Sequence, residues 1–278
     1  MSNETISASD VKKLREMTGA GMMDCKKALT DAGGDFEKAI EELRKKGQKL
    51  SAKRADRDAK EGAVIALVSD DHKTGVIVRL SCETDFVAKN ADFVALAQSF
   101  ASIALQHQPA TLEALLALPF ENITIGDKVT EQVGVIGEKV DLSAYALLKG
   151  EMIAPYIHMG NRAAVLIALN KANPAFLEPG RDAAMQVAAM RPIAVDKDDV
   201  DSSVVEKEIE IGKEVARQEG KPEEMLEKIA MGKLNKFFKE STLLNQDFVK
   251  DNKHTVRDYL KSIDKDLTVT AFKHVELG

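Results

Sequence analysis

The spacing of hydrophobic residues changes near residue 83, where strand-like alternation gives way to helical periodicity. Apolar side chains first alternate along one face of a predicted strand, at Val76, Val78, Leu80 and Cys82. They then recur every three or four positions, at Phe93, Leu96, Ala97, Phe100 and Ile103. Alternation is typical of a half-buried strand, and the second spacing is typical of an amphipathic helix. The pattern therefore predicts a strand-to-helix junction at residues 83–87, and such junctions often carry functional loops.

Two positions of Phe86 are compatible with this junction. Thr84 and Asp85 are good N-cap residues, and a helix that begins at Thr84 places Phe86 at heptad spacing with Phe93. A helix that begins at Asn90 instead leaves the Phe86 ring projecting from a loop. The pattern alone favours a core position, because a phenylalanine next to an apolar stripe usually belongs to that stripe. The loop position stays open as the alternative.

Three short helices are predicted between residues 9 and 47, separated by glycine breaks at Gly19–Gly21 and Gly33–Gly34. Met22 and Met23 follow the first break. Neighbouring side chains on a helix point about 100° apart, so both methionines cannot easily lie in so small a core. We therefore expect one of them to be exposed, either as an adaptable contact surface or as a structural gap-filler.

A basic stretch follows at residues 44–60, with eight Lys or Arg residues against two Asp residues. Few of its residues are apolar, which favours a solvated linker between two folded regions. The second interpretation is a nucleic-acid contact, but no aromatic residue is interleaved to stack on bases. A net charge of −6 at pH 7 also argues against a nucleic-acid-binding protein.

A hairpin followed by a helix occurs twice in the middle of the chain. The first hairpin is predicted at residues 63–83 and precedes the helix described above. The second is predicted at residues 152–169, and a helix at residues 182–190 follows it. The recurrence predicts an α+β fold with two related subdomains, each an antiparallel sheet with helices.

The remaining patterns are mainly helical. Thr124 opens a capping-box sequence for a helix that Gly137 ends. Residues 202–239 are predicted to form a protruding antiparallel helical hairpin, a coiled coil with a narrow apolar seam on a charged background. In the tail, a helix at residues 256–263 precedes a strand at residues 267–275, which we expect to extend the sheet of the second subdomain.

A chain of 278 residues is long enough for about two domains with separate cores. The predicted elements place an N-terminal module with the basic linker at residues 1–55 and a first core subdomain at residues 56–145. A second core subdomain takes up residues 146–278, with the helical hairpin inserted at 202–239.

Composition indicates a globular protein of a reducing compartment. Hydrophobic residues make up 44% and charged residues 30% of the chain. No apolar run reaches membrane-spanning length, and the first residues have neither the basic nor the apolar segment of a targeting signal. Cys25 and Cys82 are isolated at core-face positions, which argues against a disulfide framework. We therefore expect a cytoplasmic protein without a membrane contact.

The sequence lacks the residue constellations that enzymes need. No glycine-rich phosphate-binding loop occurs, so direct nucleotide binding is not expected. The five histidines are scattered, and no pair has metal-ligand spacing. Neither cysteine is predicted to lie beside a base that could activate it. We predict no catalytic residue, no metal and no cofactor.

Two motifs carry a family resemblance. The first is the stretch VKKLREMTGAGMMDCKKAL at residues 11–29, followed by AGGD at residues 32–35. The second is Thr84, Asp85, Phe86 and Val87 at the strand-to-helix junction. Both resemble the bacterial elongation factor Ts family, and weaker matches extend over nearly the whole chain. The resemblance implies that the first module is a ubiquitin-associated-like three-helix bundle.

The resemblance also implies a function, which is guanine nucleotide exchange on elongation factor Tu during translation elongation, without covalent chemistry. The residues of the second motif, Thr84, Asp85, Phe86 and Val87, are then expected to dislodge Mg²⁺ from the GTPase, with Phe86 as a wedge and therefore outside the core. Ile136 and Gly137 are expected beside that wedge. The resemblance implies that Arg15, Met22 and Met23 contact the nucleotide-binding domain of the GTPase. It implies that His158 contacts the third domain.

One alternative function remains beside this interpretation. An adaptor of the ubiquitin-associated type would explain the first module, with Met22 and Met23 as its contact surface, but would leave the α+β core without a role. The implied partner is elongation factor Tu in a heterodimer or in a pair of heterodimers. One departure from the family pattern is Gly160-Asn161, which follows His158 in the same turn and has the reverse order in many members.

Overall fold

The structure is a computed structural model and describes residues 6–278. Its first three helices are α1 (Ala8–Thr18), α2 (Met22–Asp31) and α3 (Phe36–Arg54). Their inner faces form a small core that includes Val11, Leu14, Cys25, Leu29 and Ala39. The Ser7 side chain caps α1 within a capping box, and the left-handed Gly19 ends that helix. The predicted three-helix bundle is confirmed.

The first core subdomain is built on a three-stranded antiparallel sheet in the order β1-β2-β5. Its strands are β1 (Glu61–Val68), β2 (Thr74–Cys82) and β5 (Val140–Lys149). The outer face of this sheet carries the alternating residues of β2 and packs against helices α5 (Ala91–His107) and α7 (Ile125–Ile136). Shorter elements complete it: α4 (Asp85–Ala88), α6 (Leu112–Leu116), β3 (Pro119–Phe120) and β4 (Ile123–Thr124).

Helix α3 is longer than the sequence suggested. It runs through residues 44–54, so the prediction of a solvated linker is wrong for that part, and only residues 55–60 connect it to β1. The reason is a helix contact that no local pattern reveals. Gly47 is buried against α7, and a Cβ on Gly134 of α7 would come within 2.9 Å of the Gly47 Cα atom. The basic side chains of residues 44–54 therefore project from a helix that packs on α7, and they do not belong to a flexible linker.

The second core subdomain repeats this plan. Its sheet has the order β10-β7-β6, formed by β6 (Met152–Ile157), β7 (Ala163–Leu169) and β10 (Val269–Glu276). Helices α8 (Leu177–Met190) and α11 (Val256–Ile263) cover its outer face, and β8 (Asp247–Phe248) pairs with β9 (Asp251–Thr255) beside them. The pairing of β10 with β7 confirms that the C-terminal strand extends the second sheet.

The two sheets pack face to face. Their inner faces share a core that includes Val64, Ile77, Ile153, Ala164 and Leu166. Gly75 allows this close approach, because a Cβ at that position would lie 2.9 Å from the Ile153 side chain. With helices outside each sheet, the order of layers is helix, sheet, sheet, helix. The predicted α+β class is confirmed, and β5 runs through the 145/146 boundary proposed from the sequence.

The predicted helical hairpin is formed by α9 (Ser202–Gln218) and α10 (Glu223–Ser241). Its seam contains small residues, and a Cβ on Gly212 would lie 3.1 Å from the Ala230 Cα atom. Arg217 Nε lies 2.9 Å from a carboxylate oxygen of Glu223 across the hairpin. The narrow seam and the flanking ion pairs are those of a short antiparallel coiled coil.

Candidate functional site

Phe86 lies on the surface. Its side chain is 85% exposed, so the expectation from the pattern alone that it belongs to the core is wrong. The chain uses both of the helix starts that the sequence offered: Thr84 caps the single turn α4, and Asn90 caps α5 with a 2.8 Å hydrogen bond from the Asp92 N–H. The break between the two helices interrupts the heptad register. As a result, Phe86 does not share the buried face of Phe93.

The backbone before Phe86 is held by the carboxylate of Glu138. One oxygen of this carboxylate accepts hydrogen bonds from the N–H groups of Glu83 and Thr84, at 3.1 and 3.0 Å. The other accepts a 2.7 Å hydrogen bond from the Thr84 hydroxyl. Hydrogen bonds to an ionised acceptor are stronger than those between neutral groups. Glu138 directly follows Gly137, so the end of α7 fixes the start of α4.

The carboxylate of Glu83 joins three further parts of the chain. It accepts hydrogen bonds from Arg54 at the end of α3 (2.7 Å), from Arg57 (3.0 Å) and from the N–H of Lys139 (2.6 Å). Burial by itself raises the pKa of Glu83, but these hydrogen bonds outweigh it and hold the pKa at about 2. Glu83 is therefore ionised at neutral pH and ties the N-terminal bundle to the junction.

Asp85 and Val87 flank the exposed ring. The Asp85 carboxylate accepts a 2.6 Å hydrogen bond from Lys89, one turn along the chain, and this hydrogen bond and the lysine charge lower the pKa of Asp85. Asp85 therefore carries a negative charge at the surface at neutral pH. Val87 packs against the hydrophobic core between the first sheet and its helices, so it anchors α4 to the subdomain.

A cleft of about 570 Å³ lies beside Phe86, between the end of α1 and helices α4, α5 and α7. Phe86, Val87 and Ile136 line it together, as Met17 of the bundle does. Gly137 follows Ile136 and ends α7 in the left-handed conformation, with φ = 80° and its N–H bonded to the Val133 carbonyl. The structure therefore brings residues of both sequence motifs, the first of which lies in the bundle, to one cleft with Ile136 of α7.

The bundle presents a second group of the predicted residues. Met22 and Met23 are both exposed, at 52% and 75%, although we expected only one of them at the surface. Arg15 of α1 is exposed as well. None of these three side chains lines the cleft, but α1 contributes Met17 and Gly19 to it. The end of α1 therefore borders the cleft, and Arg15, Met22 and Met23 are exposed elsewhere on the same bundle.

His158 lies on the other subdomain, at the end of β6. Its ring is exposed, and its Nδ1 atom lies 3.0 Å from the hydroxyl of Tyr156. Met159, which is 82% exposed, follows in a tight turn. Gly160 and Asn161 both have positive φ angles in that turn, 71° and 56°, which glycine and asparagine tolerate best. His158 does not line the cleft beside Phe86.

The residues that sequence reasoning missed are those that hold the junction. Arg54, Glu83, Glu138 and Lys139 contribute no chemistry of their own, and their partners lie 29 to 56 positions away along the chain. In the sequence, these four residues are visible only as charges at the end of a helix or next to a motif. Such a charge is most often a solvated surface residue, so no sequence signal distinguishes this cluster.

The site lacks the groups of a reaction centre. Burial and the nearby Glu138 carboxylate raise the pKa of the Cys82 thiol to about 12, so its nucleophilic thiolate is scarce at neutral pH. Within residues 6–278 no cluster of three or more His, Cys, Asp or Glu side chains could hold a metal ion. No helix of that part of the chain is both long and apolar enough to cross a membrane. The surface carries an exposed aromatic ring and two exposed methionines, and large exposed apolar side chains of this kind are common where proteins bind other proteins.

Comparison with known proteins gives the family. The sequence profile described as Elongation factor TS matches residues 83–278. The chain is 53% identical to Elongation factor Ts of Christiangramia forsetii over 98% of this chain and 99% of the relative. It is 54% identical to that of Cytophaga hutchinsonii over 99% of both chains. The chain belongs to the elongation factor Ts family, which confirms the resemblance seen in the sequence.

Proposed function

We propose that this protein releases GDP from elongation factor Tu by pressing Phe86 against the region that holds the magnesium ion of the GTPase. Membership of the elongation factor Ts family implies a nucleotide exchange factor for elongation factor Tu in translation, which acts without covalent catalysis. The proposal concerns how this chain carries out the exchange and which of its residues take part.

The energetics of exchange follow from linkage. A partner that binds the nucleotide-free GTPase more tightly than the GDP-bound form weakens GDP by the same factor. Each tenfold of that factor corresponds to about 1.4 kcal/mol. The GTPase holds its nucleotide through phosphate contacts and a bridging Mg²⁺. Disturbing the coordination of that ion is therefore an efficient way to weaken GDP.

The observation that carries the proposal is the exposure of Phe86. Water contact with 85% of a phenylalanine side chain is unfavourable, and burying such a ring gains about 1.5 to 3 kcal/mol. That gain is available for a complex only because the ring is not already buried in its own subdomain. Insertion of the ring between helices of the GTPase would use this free energy to displace the metal site. A phenylalanine buried in the core of its own subdomain could not act on a partner.

The neighbours of Phe86 have distinct roles in this mechanism. The ionised Asp85 disturbs the polar network around the metal ion with its negative charge. Ile136 lines the same cleft and contacts the element that Phe86 displaces, while Gly137 lets α7 end close to it. Thr84 and Val87 fix the short helix from which the ring projects.

Two further contacts complete the proposed complex with elongation factor Tu. Arg15, Met22 and Met23 dock on its nucleotide-binding domain, which their exposure on the bundle supports. Methionine side chains adapt easily to a partner surface because they are flexible and polarisable. His158 contacts the third domain, and the exposed Met159 beside it adds apolar area. The two contact sites lie on different subdomains, so the partner would span both.

The test is release of labelled GDP from elongation factor Tu by the parent protein and by Phe86→Ala. Because the ring is exposed, the variant should keep its fold and its thermal unfolding temperature. Its exchange rate should fall about tenfold to a hundredfold, the factor that corresponds to the burial energy of the ring. Ile263→Ala is the matched control, because Ile263 is a large apolar residue, 45% exposed, that does not line the cleft.

The outcomes separate the mechanism from the family function. Exchange by Phe86→Ala at the parent rate would refute the role of the ring, although the protein would still be an exchange factor. An equal loss in Ile263→Ala would indicate that any exposed apolar residue matters and would also refute it. Loss of binding with an unchanged maximal rate would mean that Phe86 is a docking residue rather than a wedge.

A further inference from the structure

The position of Phe86 needs an explanation of its own. Helix α4 has only four residues, and a single turn of helix is unstable by itself because nucleation is costly. The ring also lines a cleft whose walls are part polar and part apolar, with Phe93, Leu96 and Val135 among the apolar residues. A free ring would gain energy by folding into that cleft. Something in the protein must therefore hold it out.

A polar cluster contacts the backbone just before the ring. Within residues 6–278, these are the only contacts to that backbone that involve ionised side chains. Glu138 binds the N–H groups of Glu83 and Thr84 and the Thr84 hydroxyl. Glu83 in turn binds Arg54 of the bundle and the N–H of Lys139. Each contact is directional, so together they fix the orientation of the chain as it enters α4.

We propose that Glu138, supported by the Arg54–Glu83 pair, is a positioning residue that keeps the Phe86 ring exposed and ready to dock. Holding residues 83–88 in place before binding matters, because any free energy needed to order them during docking would weaken the complex. The consequence for exchange rests on the proposed function of Phe86. The position of the ring in the free protein does not, and it can be measured without a partner.

The chain contains no tryptophan, so Phe86→Trp places a single fluorescent reporter at the site. In this background Glu138→Ala removes all three hydrogen bonds to the carboxylate. Glu138→Gln is the matched control. Its amide oxygen can still accept from the two N–H groups, and its NH₂ group can donate to the Thr84 oxygen. The glutamine variant therefore keeps the contacts and loses only the charge.

The expected result is that Glu138→Ala shifts the tryptophan emission to shorter wavelength and lowers the acrylamide quenching constant roughly twofold, because a ring that starts 85% exposed moves into the cleft. Glu138→Gln should stay close to the Phe86→Trp parent. Unchanged quenching in the alanine variant would overturn the proposal, and so would an equal change in the glutamine variant. If the alanine variant does not fold, Glu138→Asp, which keeps the charge but shortens the reach towards the three donors by one methylene group, is measured instead with the same criteria.

Exchange assays then connect position to function. In the natural Phe86 background, Glu138→Ala should slow GDP release about tenfold, the loss expected from removing hydrogen bonds to a charged group, and Glu138→Gln should recover most of it. A change in quenching without a change in exchange would keep the positioning role and refute the wedge role of Phe86. A change in exchange without a change in quenching would refute the positioning role.

Discussion

The contact between α3 and α7 predicts that Gly134→Ala damages the protein through a helix contact that does not involve the exposed ring. The new methyl group would lie 2.9 Å from the Cα atom and 3.4 Å from the N atom of Gly47. Real Cβ atoms do not approach a backbone carbon so closely, and neither atom can rotate away. The two helices must therefore move apart by several tenths of an ångström.

The magnitude is the balance of two effects. Alanine is about 1 kcal/mol more favourable than glycine inside a helix. Forcing a methyl group into a packed contact costs about 1 to 3 kcal/mol. We expect Gly134→Ala to lower the free energy of unfolding by about 0 to 2 kcal/mol. Gly232→Ala is the matched control, because Gly232 lies in helix α10 with no atom within 4 Å of the added Cβ, and it should stabilise by about 1 kcal/mol.

The assay is urea unfolding of both variants, followed by circular dichroism, together with GDP release from elongation factor Tu. Because α3 belongs to the bundle that carries Met22 and Met23, and α7 carries Ile136, separating the two helices shifts one part of the proposed contact surface against the other. Exchange should therefore fall more at low than at saturating concentrations of the factor. Equal stability of Gly134→Ala and Gly232→Ala would refute the reasoning, since the glycine contact would then not set the helix spacing.

Three further predictions concern single residues. The pKa of Glu83 is lowered to about 2 from its ordinary value of 4.5, which stabilises the fold above pH 4.5, and this contribution is lost as the pH falls towards 2. The unfolding free energies of Glu83→Gln and the parent should therefore differ by about 3 kcal/mol at pH 7 and converge on acidification. A difference that stays constant with pH would contradict this. Gly137→Ala should cost about 1 kcal/mol in thermal unfolding through its positive φ alone, and Gly137→Asn less; equal losses would speak against backbone strain. Iodoacetamide at pH 8 should leave Cys82 unmodified until urea is added, because its thiol is buried and its pKa is raised to about 12; rapid labelling of the folded protein, read by mass spectrometry, would disprove this.

Local sequence patterns were sufficient for the elements that local interactions determine. The capping box at Thr124 and the left-handed Gly137 bound α7 as predicted, because each forms its hydrogen bonds within a few residues. Apolar runs bounded by turn residues identified both hairpins, since the strands are buried on one face by helices and on the other by the opposite sheet. The α+β class follows from these elements, because a repeated hairpin and helix leave few other ways to bury their apolar faces.

Contacts between distant segments explain where the patterns failed. Residues 44–54 are basic and were predicted to be a linker, yet they continue α3 because Gly47 meets Gly134 on another helix. Phe86 could be placed in the core or outside it, and the local pattern favoured the wrong alternative. What decides between them is the second helix start at Asn90 together with the hydrogen bonds that the Glu138 carboxylate accepts, 54 residues further along the chain from Thr84.

The way in which Phe86 is held bears on how an exposed ring can act as a wedge at all. Proteins usually fix an aromatic side chain by packing it among apolar neighbours, but packing would use up the surface that a partner must bury. Hydrogen bonds to the backbone before the ring fix its direction and leave its faces free. Such bonds contribute most when an ionised acceptor meets several donors, as Glu138 does. A rigid and solvent-exposed wedge therefore requires a hydrogen-bonding anchor behind it, and replacing that anchor with an apolar residue should leave a ring that is present but misdirected.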